Sequence, residues 1–226
     1  MRTVDEIAQG IYTSENISRA SLYLRGRGLQ YEKTAFPFAA TDDRKIALSP
    51  GSVNPYSLTE ALIMPVVSVY DSKVLSGFSV RHIGSSTTRL RYMTIKDDPK
   101  QVLCYYTAPL FSIRGRTLFV TESIIDAESI TQSSGYPAIT FLSALFQPQI
   151  LWWLSCITDE LVFALDNDSA GNRCFAKYRE LSTRVIEWIP SLRIQRMSFP
   201  CKDINECLLK FGSTFLNNQL KLYVRA

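Results

Sequence analysis

The chain has 226 residues, 46% of them hydrophobic and 20% charged, an ordinary globular usage that excludes a disordered or fibrous protein. The net charge of +4 is uneven: residues 1–116 hold fifteen Lys/Arg against ten Asp/Glu, and residues 117–226 hold ten against eleven. A basic half joined to a slightly acidic one suits a protein that holds a polyanion beside a cation-binding site, and is no evidence about fold.

Asp5 to Gly28 shows helical spacing at Ile7, Ile11, Ile17, Leu22 and Leu24 and stops at Gly26 and Gly28, which predicts a helix. Asp5 and Glu6 precede any apolar run, so the start does not read as a secretory signal. From Tyr31 to Val80 the texture turns to short β-rich runs between Pro, Gly, Asn and Asp. Leu62–Val69 and Val74–Val80, flanking Tyr70-Asp71-Ser72-Lys73, predict a hairpin. Arg81 to Lys100 is polar and basic and reads as loop with a little strand.

After Gly115 the pattern becomes strand–helix alternation. Thr117–Thr121 is an apolar strand ending at Glu122, followed by a helix from Ile124 to Thr131. Pro137–Phe141 and Leu161–Leu165 are further strands, the latter ending at Asp166. Ala170–Leu181 reads as a helix, with more strand in Val185–Ile189 or Leu192–Phe199. Phe141–Ile157, the most apolar stretch, is interrupted by Gln147-Pro148-Gln149 and is too short to span a bilayer. Alternation with continuous apolar strands predicts an α/β class with a parallel sheet flanked by helices, preceded by a smaller basic subdomain of mixed α+β character. The expected units are 1–113 and 114–226, the second closing on a short C-terminal helix.

Five cysteines and one histidine show no C-x-x-C pair, so zinc is not expected. Nothing suggests a disulfide framework, which fits a reducing cytoplasm. Carboxylates are the informative groups. Glu122 and the pair Asp166/Asp168 lie just past apolar strands, where a parallel sheet binds its ligands. If those strands are neighbours, the carboxylates meet at one edge. Crowded carboxylates repel, and a divalent cation relieves them; an all-oxygen set without histidine favours Mg²⁺ or Mn²⁺. Singly, each residue is as well explained as a helix cap or a solvated strand end.

Val120-Thr121-Glu122-Ser123-Ile124-Ile125-Asp126-Ala127 resembles the V-x-E-G-x-x-D-A segment of TOPRIM domains, and Asp166-Asn167-Asp168-Ser169-Ala170-Gly171 resembles their D-x-D-x-A-G segment. Lys202–Gly212 resembles the K-D-P-D-E-x-L-x-x-x-G stretch of bacterial DnaG-type primases. In the first half, Tyr23–Leu29 resembles their Y-L-x-x-R-G-I motif and Ile63–Arg81 their hairpin; Arg89–Tyr92 falls where they carry a basic segment. Ser123 stands where the pattern has glycine, and Asn205 where it has the second aspartate.

The resemblance implies a phage- or bacterial-type DNA primase catalytic core that makes short RNA primers from NTPs on single-stranded DNA. Glu122, Asp166 and Asp168 would be catalytic, and the metal would be held by these three with Asp126 and Asp203. Arg81, Arg89, Arg91, Lys96 and Lys202 are the expected phosphate contacts. Template DNA and NTPs are the implied partners, and a replicative helicase or a separate zinc-bearing protein would assist, since neither the zinc module nor the helicase-binding part of such primases is seen in the sequence. The alternatives are a TOPRIM nuclease that cuts nucleic acid with the same acids, or a non-catalytic binding relative.

Overall fold

Pattern becomes packing in two separate units, Met1–Cys104 and Tyr105–Ala226. The structure, a computed structural model, describes residues 4–41, 60–69, 74–84, 92–96, 98, 100–109, 112, 116–142, 148–186 and 192–224.

In the first unit the helical pattern expected to run unbroken to Gly28 is two helices, α1 (Val4–Ile11) and α2 (Ser14–Gly26). The break has a local cause. Thr13 takes an extended conformation and its hydroxyl accepts the Asn16 N–H at 3.2 Å, which caps a new helix. Gly28 (φ 72°) turns the chain out of α2, and the Leu29 N–H closes back on the Leu24 carbonyl at 2.9 Å. Strand β1 (Ala39–Thr41) and β2 (Ala61–Ser68) run antiparallel, as do β2 and β3 (Leu75–His82), so the expected hairpin is present. β4 (Tyr92–Lys96) adds to β3, placing a five-residue strand in a segment expected to be mostly loop. β5 (Leu103–Tyr106) starts beside β2, with Cys104 and Leu103 facing Val67 and Ser68. Val4, Ile7 and Ile11, the i, i+3, i+7 stripe of α1, pack with Ala61, Ile63, Phe78, Val80 and Ile95.

The second unit begins earlier than the change of texture at Gly115. Tyr105 donates its hydroxyl proton to buried Glu128, and Thr107 takes the Ala138 N–H on its hydroxyl at 2.9 Å, so these residues pack with the second half of the chain. Four strands, β6 (Thr117–Thr121), β7 (Ala138–Phe141), β8 (Glu160–Ala164) and β9 (Arg193–Arg196), pair in the order β7-β6-β8-β9, all parallel. Their connections carry α3 (Ile124–Ser134), α4 (Pro148–Ser155) and α5 (Ser169–Ile186); α6 (Ile204–Lys221) follows β9 and packs on α3. α4 lies in the apolar stretch for which no element was expected, and Pro148 at its first position is what a proline tolerates there. β6 and β8 are buried throughout, as strands covered on both faces are. Among the described residues no helix is long and apolar enough to cross a membrane.

The chain leaves β6 toward β7 and then returns to place β8 on β6's other side. That reversal lies between β6 and β8. In open parallel sheets the crevice at the carboxyl ends of the two strands flanking such a reversal is where ligands bind.

Candidate metal centre

The register of β6 and β8 sets the site. Thr121 lies opposite Ala164, so the next residues out, Glu122 on one strand and Leu165-Asp166 on the other, emerge together at the carboxyl edge. The Asp166 N–H donates to Glu122 Oε1 at 3.2 Å. The turn is compressed by α5: a Cβ on Gly171 would stand 2.1 Å from the Asp166 carbonyl oxygen and 3.0 Å from Glu122 Oε1, so only glycine lets the helix start this close. Asp168 Oδ1 accepts the N–H groups of Ala170 and Gly171 at 2.8 and 2.9 Å and caps α5. The turn is also tied to the segment before α6. Asn167 donates its N–H to the Lys202 carbonyl at 2.6 Å and its Nδ2 to the Phe199 carbonyl at 3.3 Å.

The electrostatics follow from this crowding. Burial, then the charge of Asp166, raises the Glu122 pKa above the usual carboxylate value. Burial, then Asp203, does the same for Asp166, which also feels Asp168. Asp168 is shifted the other way because the Gly171 and Ala170 N–H groups favour its ionised form. Lys202, an exposed side chain, lowers Asp166 and Asp168 through its charge.

Asp126 and Asp203 are held differently. Asp126 is 5% exposed, its Oδ2 accepting the Ser123 hydroxyl at 2.5 Å and its Oδ1 the Asn205 N–H at 2.9 Å. Burial and the charge of Asp203 push its pKa up to about 7. Asp203 caps α6 through the Glu206 N–H at 2.7 Å. The two departures from the TOPRIM pattern belong here. Ser123 accepts the Asp126 N–H at 3.2 Å and caps α3, a role open to serine as well as to glycine. Asn205 is 2% exposed and donates Nδ2 to Ser129 Oγ at 2.9 Å, so the amide bonds α6 to α3 where a second carboxylate would crowd Asp126.

Among the described residues, no three acidic, His or Cys side chains stand close enough to grip an ion as they lie. The donor chemistry nevertheless fits a hard divalent cation. Glu122 and Asp168 each use one oxygen in the hydrogen bonds above, and the Asp166 carboxylate accepts none among the described residues. Carboxylate oxygens without a hydrogen-bond donor among the described residues thus lie along the same edge, and an all-oxygen donor set of this kind suits Mg²⁺ or Mn²⁺.

One contact went unread in the sequence, and a second group was read without its contacts. Arg196, the last residue of β9, sends Nη2 to the Asp166 carbonyl at 3.1 Å and Nη1 to Asn172 Oδ1. An arginine in a strand of alternating polarity carries no signal of that reach. In the first unit, Arg81 lies in β3 with its guanidinium 6.0 Å from the Tyr23 ring centre, and Arg27 lies 5.6 Å from the same ring, its Nε donating to the Tyr23 hydroxyl at 3.2 Å. Tyr23 and Arg27 belong to the Y-L-x-x-R-G-I-like segment, so a signal for them existed. Lys96 donates Nζ to the Gln101 carbonyl at 2.9 Å. Arg89 and Arg91 lie outside the described residues.

Residues 119–208, which hold the sheet reversing at β6/β8 with Glu122 and D-x-D at its edge, match the family described as Toprim-like. No curated protein matches the chain by sequence. Among solved structures it is similar to the E. coli primase catalytic core, at 18% identity and TM-score 0.70, over 97% of this chain and 78% of that one. It is similar also to a DNA primase domain from Pseudomonas aeruginosa, at 14% identity and TM-score 0.66, over 98% and 78%. The primase fragment of the bacteriophage T7 primase-helicase protein matches at 16% identity and TM-score 0.56, over 88% and 72%. The chain therefore has the fold of a DnaG-type primase catalytic core.

Proposed function

We propose that this chain is the catalytic core of a metal-dependent nucleotidyltransferase that makes short RNA primers from NTPs on single-stranded DNA. The observation that carries the reading is the β6/β8 register, which sets Glu122 against the Asp166-Asn167-Asp168 turn in a chain with the fold of primase cores. One solved relative is described as a DnaG primase catalytic domain bound to single-stranded DNA, with 16% identity and TM-score 0.70 over 97% of this chain and 79% of that one.

In this reading Glu122, Asp166 and Asp168 would hold Mg²⁺ or Mn²⁺, which would supply a more acidic 3′-hydroxyl and charge neutralisation at the pyrophosphate. Asp203 and Asp126 keep the start of α6 against the site. Lys202 offers its ammonium to triphosphate. Arg81 with Arg27, and Arg89, Arg91 and Lys96, take backbone phosphates of the template.

The experiment is incubation with single-stranded DNA, labelled NTPs and Mg²⁺ or Mn²⁺, with products resolved on a gel. Template-dependent short RNA that disappears in EDTA is expected, and a replicative helicase is the first protein to add. Cleavage of the template without synthesis would assign the same acids to a nuclease instead.

A further inference from the structure

The D-x-D turn is bonded from four directions: by Glu122 at the end of β6, by the first turn of α5, by the segment before α6, and by Arg196 on β9. That last strand is the outer neighbour of β8, with Arg196 opposite Phe163. From that position the side chain reaches past the end of β8. One guanidinium nitrogen meets the Asp166 carbonyl at 3.1 Å and another meets Asn172 on the first turn of α5. The group also lies over the Phe175 ring, 5.9 Å from its centre, one helical turn along. A planar fork thus spans the strand end and two turns of the helix that follows it, and its charge acts on Glu122. The Asp166 carbonyl is the atom against which Gly171 is packed. Fixing that carbonyl fixes the peptide from which the Asp166 side chain projects.

We propose that Arg196 is a positioning residue for the acidic site, holding the Asp166 peptide in the place from which its carboxylate can join those of Glu122 and Asp168 around a cation. The inference rests on the reading of that edge as a divalent-cation site. Its chemistry is distinctive because the two things Arg196 could do act in opposite directions. As a positive charge beside carboxylates it opposes a bound cation, so its removal would tighten metal binding. As a fork orienting the residue that binds, its removal weakens metal binding, and outer hydrogen-bond partners of metal ligands commonly contribute about 10–100-fold in affinity. Lysine separates the two: it keeps the charge and the alkyl stem but lacks the planar pair of donors.

The test is Mn²⁺ titration of metal-stripped protein followed by electron paramagnetic resonance, comparing wild type, R196A, R196K and D166N. The expected result is weaker binding by about 10–100-fold in R196A and nearly as large a loss in R196K. Tighter binding in R196A with wild-type affinity in R196K would overturn the inference and leave Arg196 a simple charge. So would unchanged affinity in both variants while D166N abolishes binding. Wild-type protein that shows no binding sensitive to D166N would instead remove the cation site itself, and this inference with it. Hydrogen exchange on the metal-free proteins supplies the second readout: faster exchange at the Asn167, Ala170 and Gly171 amides in R196K, with the Val120 and Phe163 amides unchanged. Uniformly faster exchange would reduce Arg196 to a general stabiliser and overturn the positioning role. R196K retains the stem that lies on Phe175, so it decides the matter even if R196A folds poorly.

Discussion

Two kinds of carboxylate stand in the second unit, and the fold treats them in opposite ways. Asp126 is buried, and each of its oxygens takes a donor, Ser123 on one side and Asn205 on the other. Glu122, Asp166 and Asp168 stand at the sheet edge with oxygens left over. Burial raises Asp126, Glu122 and Asp166 alike, so a shifted proton affinity does not separate them. Unfilled acceptor capacity at an accessible edge does. Asp126 is tied to Ser123 and to the start of α6, whereas among the described residues the other three keep acceptor oxygens unfilled.

The sharpest way to break that distinction is to neutralise the edge acids one at a time. Asp166→Asn and Asp168→Asn should each lower primer synthesis by at least about a hundredfold, beyond what outer partners of a ligand usually contribute. The fold should persist: asparagine caps a helix as well as aspartate does, and losing a charge relieves repulsion. Thermal melts beside the synthesis assay check both halves. Full activity in both variants would end the assignment of the site.

Gly171→Ala tests the packing under the edge without touching an acid. The added Cβ would meet the Asp166 carbonyl, which is backbone and is itself bonded, so the turn or the helix must shift. A loss of about 1–3 kcal/mol in a denaturant titration is expected, the usual size of an overpacking strain, with weaker Mn²⁺ binding. A tolerated alanine would mean that the turn is looser than its hydrogen bonds imply.

The edge acids were legible in the sequence because their signal is local: an apolar strand, then an acid, and D-x-D before a glycine that lets a helix begin. The β2–β3 hairpin and the parallel strands were legible for the same reason. What was not legible depends on pairing. Nothing before the fold showed that β6 and β8 are neighbours, and only that adjacency brings Glu122 to Asp166. Arg196 reaches the site from a third strand, and Asn205 pins α3 from a helix whose order in the sequence gives no hint of the contact. Thr13 was overlooked as a cap because apolar residues recur at short intervals on both sides of it, at Ile7 and Ile11 before and Ile17 and Leu22 after. The helix at Pro148 was hidden by the polar residues that open it.

Ser123 sharpens the comparison from the side of Asp126. Ser123→Ala removes the α3 cap and leaves the buried Asp126 Oδ2 without its donor. A cost of about 0.5–2 kcal/mol is expected, while Ser123→Gly should lose only a few tenths from the cap itself, plus the missing Asp126 contact. Denaturant midpoints for the pair give the order. Alanine as stable as serine would show that neither bond matters.

The smallest effect expected is a change of slope. In the folded chain Asp126 has its pKa pushed up to about 7, against an ordinary value of 3.8. Between those two values the folded state holds a proton that the unfolded chain has released. Stability therefore falls as pH rises through this window: the contribution is fully present below about pH 4 and is lost as pH passes 7. Glu122 and Asp166 are raised too and tilt the curve in the same sense, whereas Asp168 is lowered and acts only on the acid side, below its ordinary value. Asp126→Asn cannot bind or release that proton, and the amide oxygen still accepts from Asn205 while its NH₂ can donate to Ser123. Its melting temperature in EDTA should fall less than the wild type's between pH 5 and 8, by on the order of a few degrees for a chain of this size. The residual slope should be the share left to Glu122 and Asp166. Parallel curves for the two proteins would mean that Asp126 is already ionised in its buried place, an ion held by two donors rather than a neutral acid.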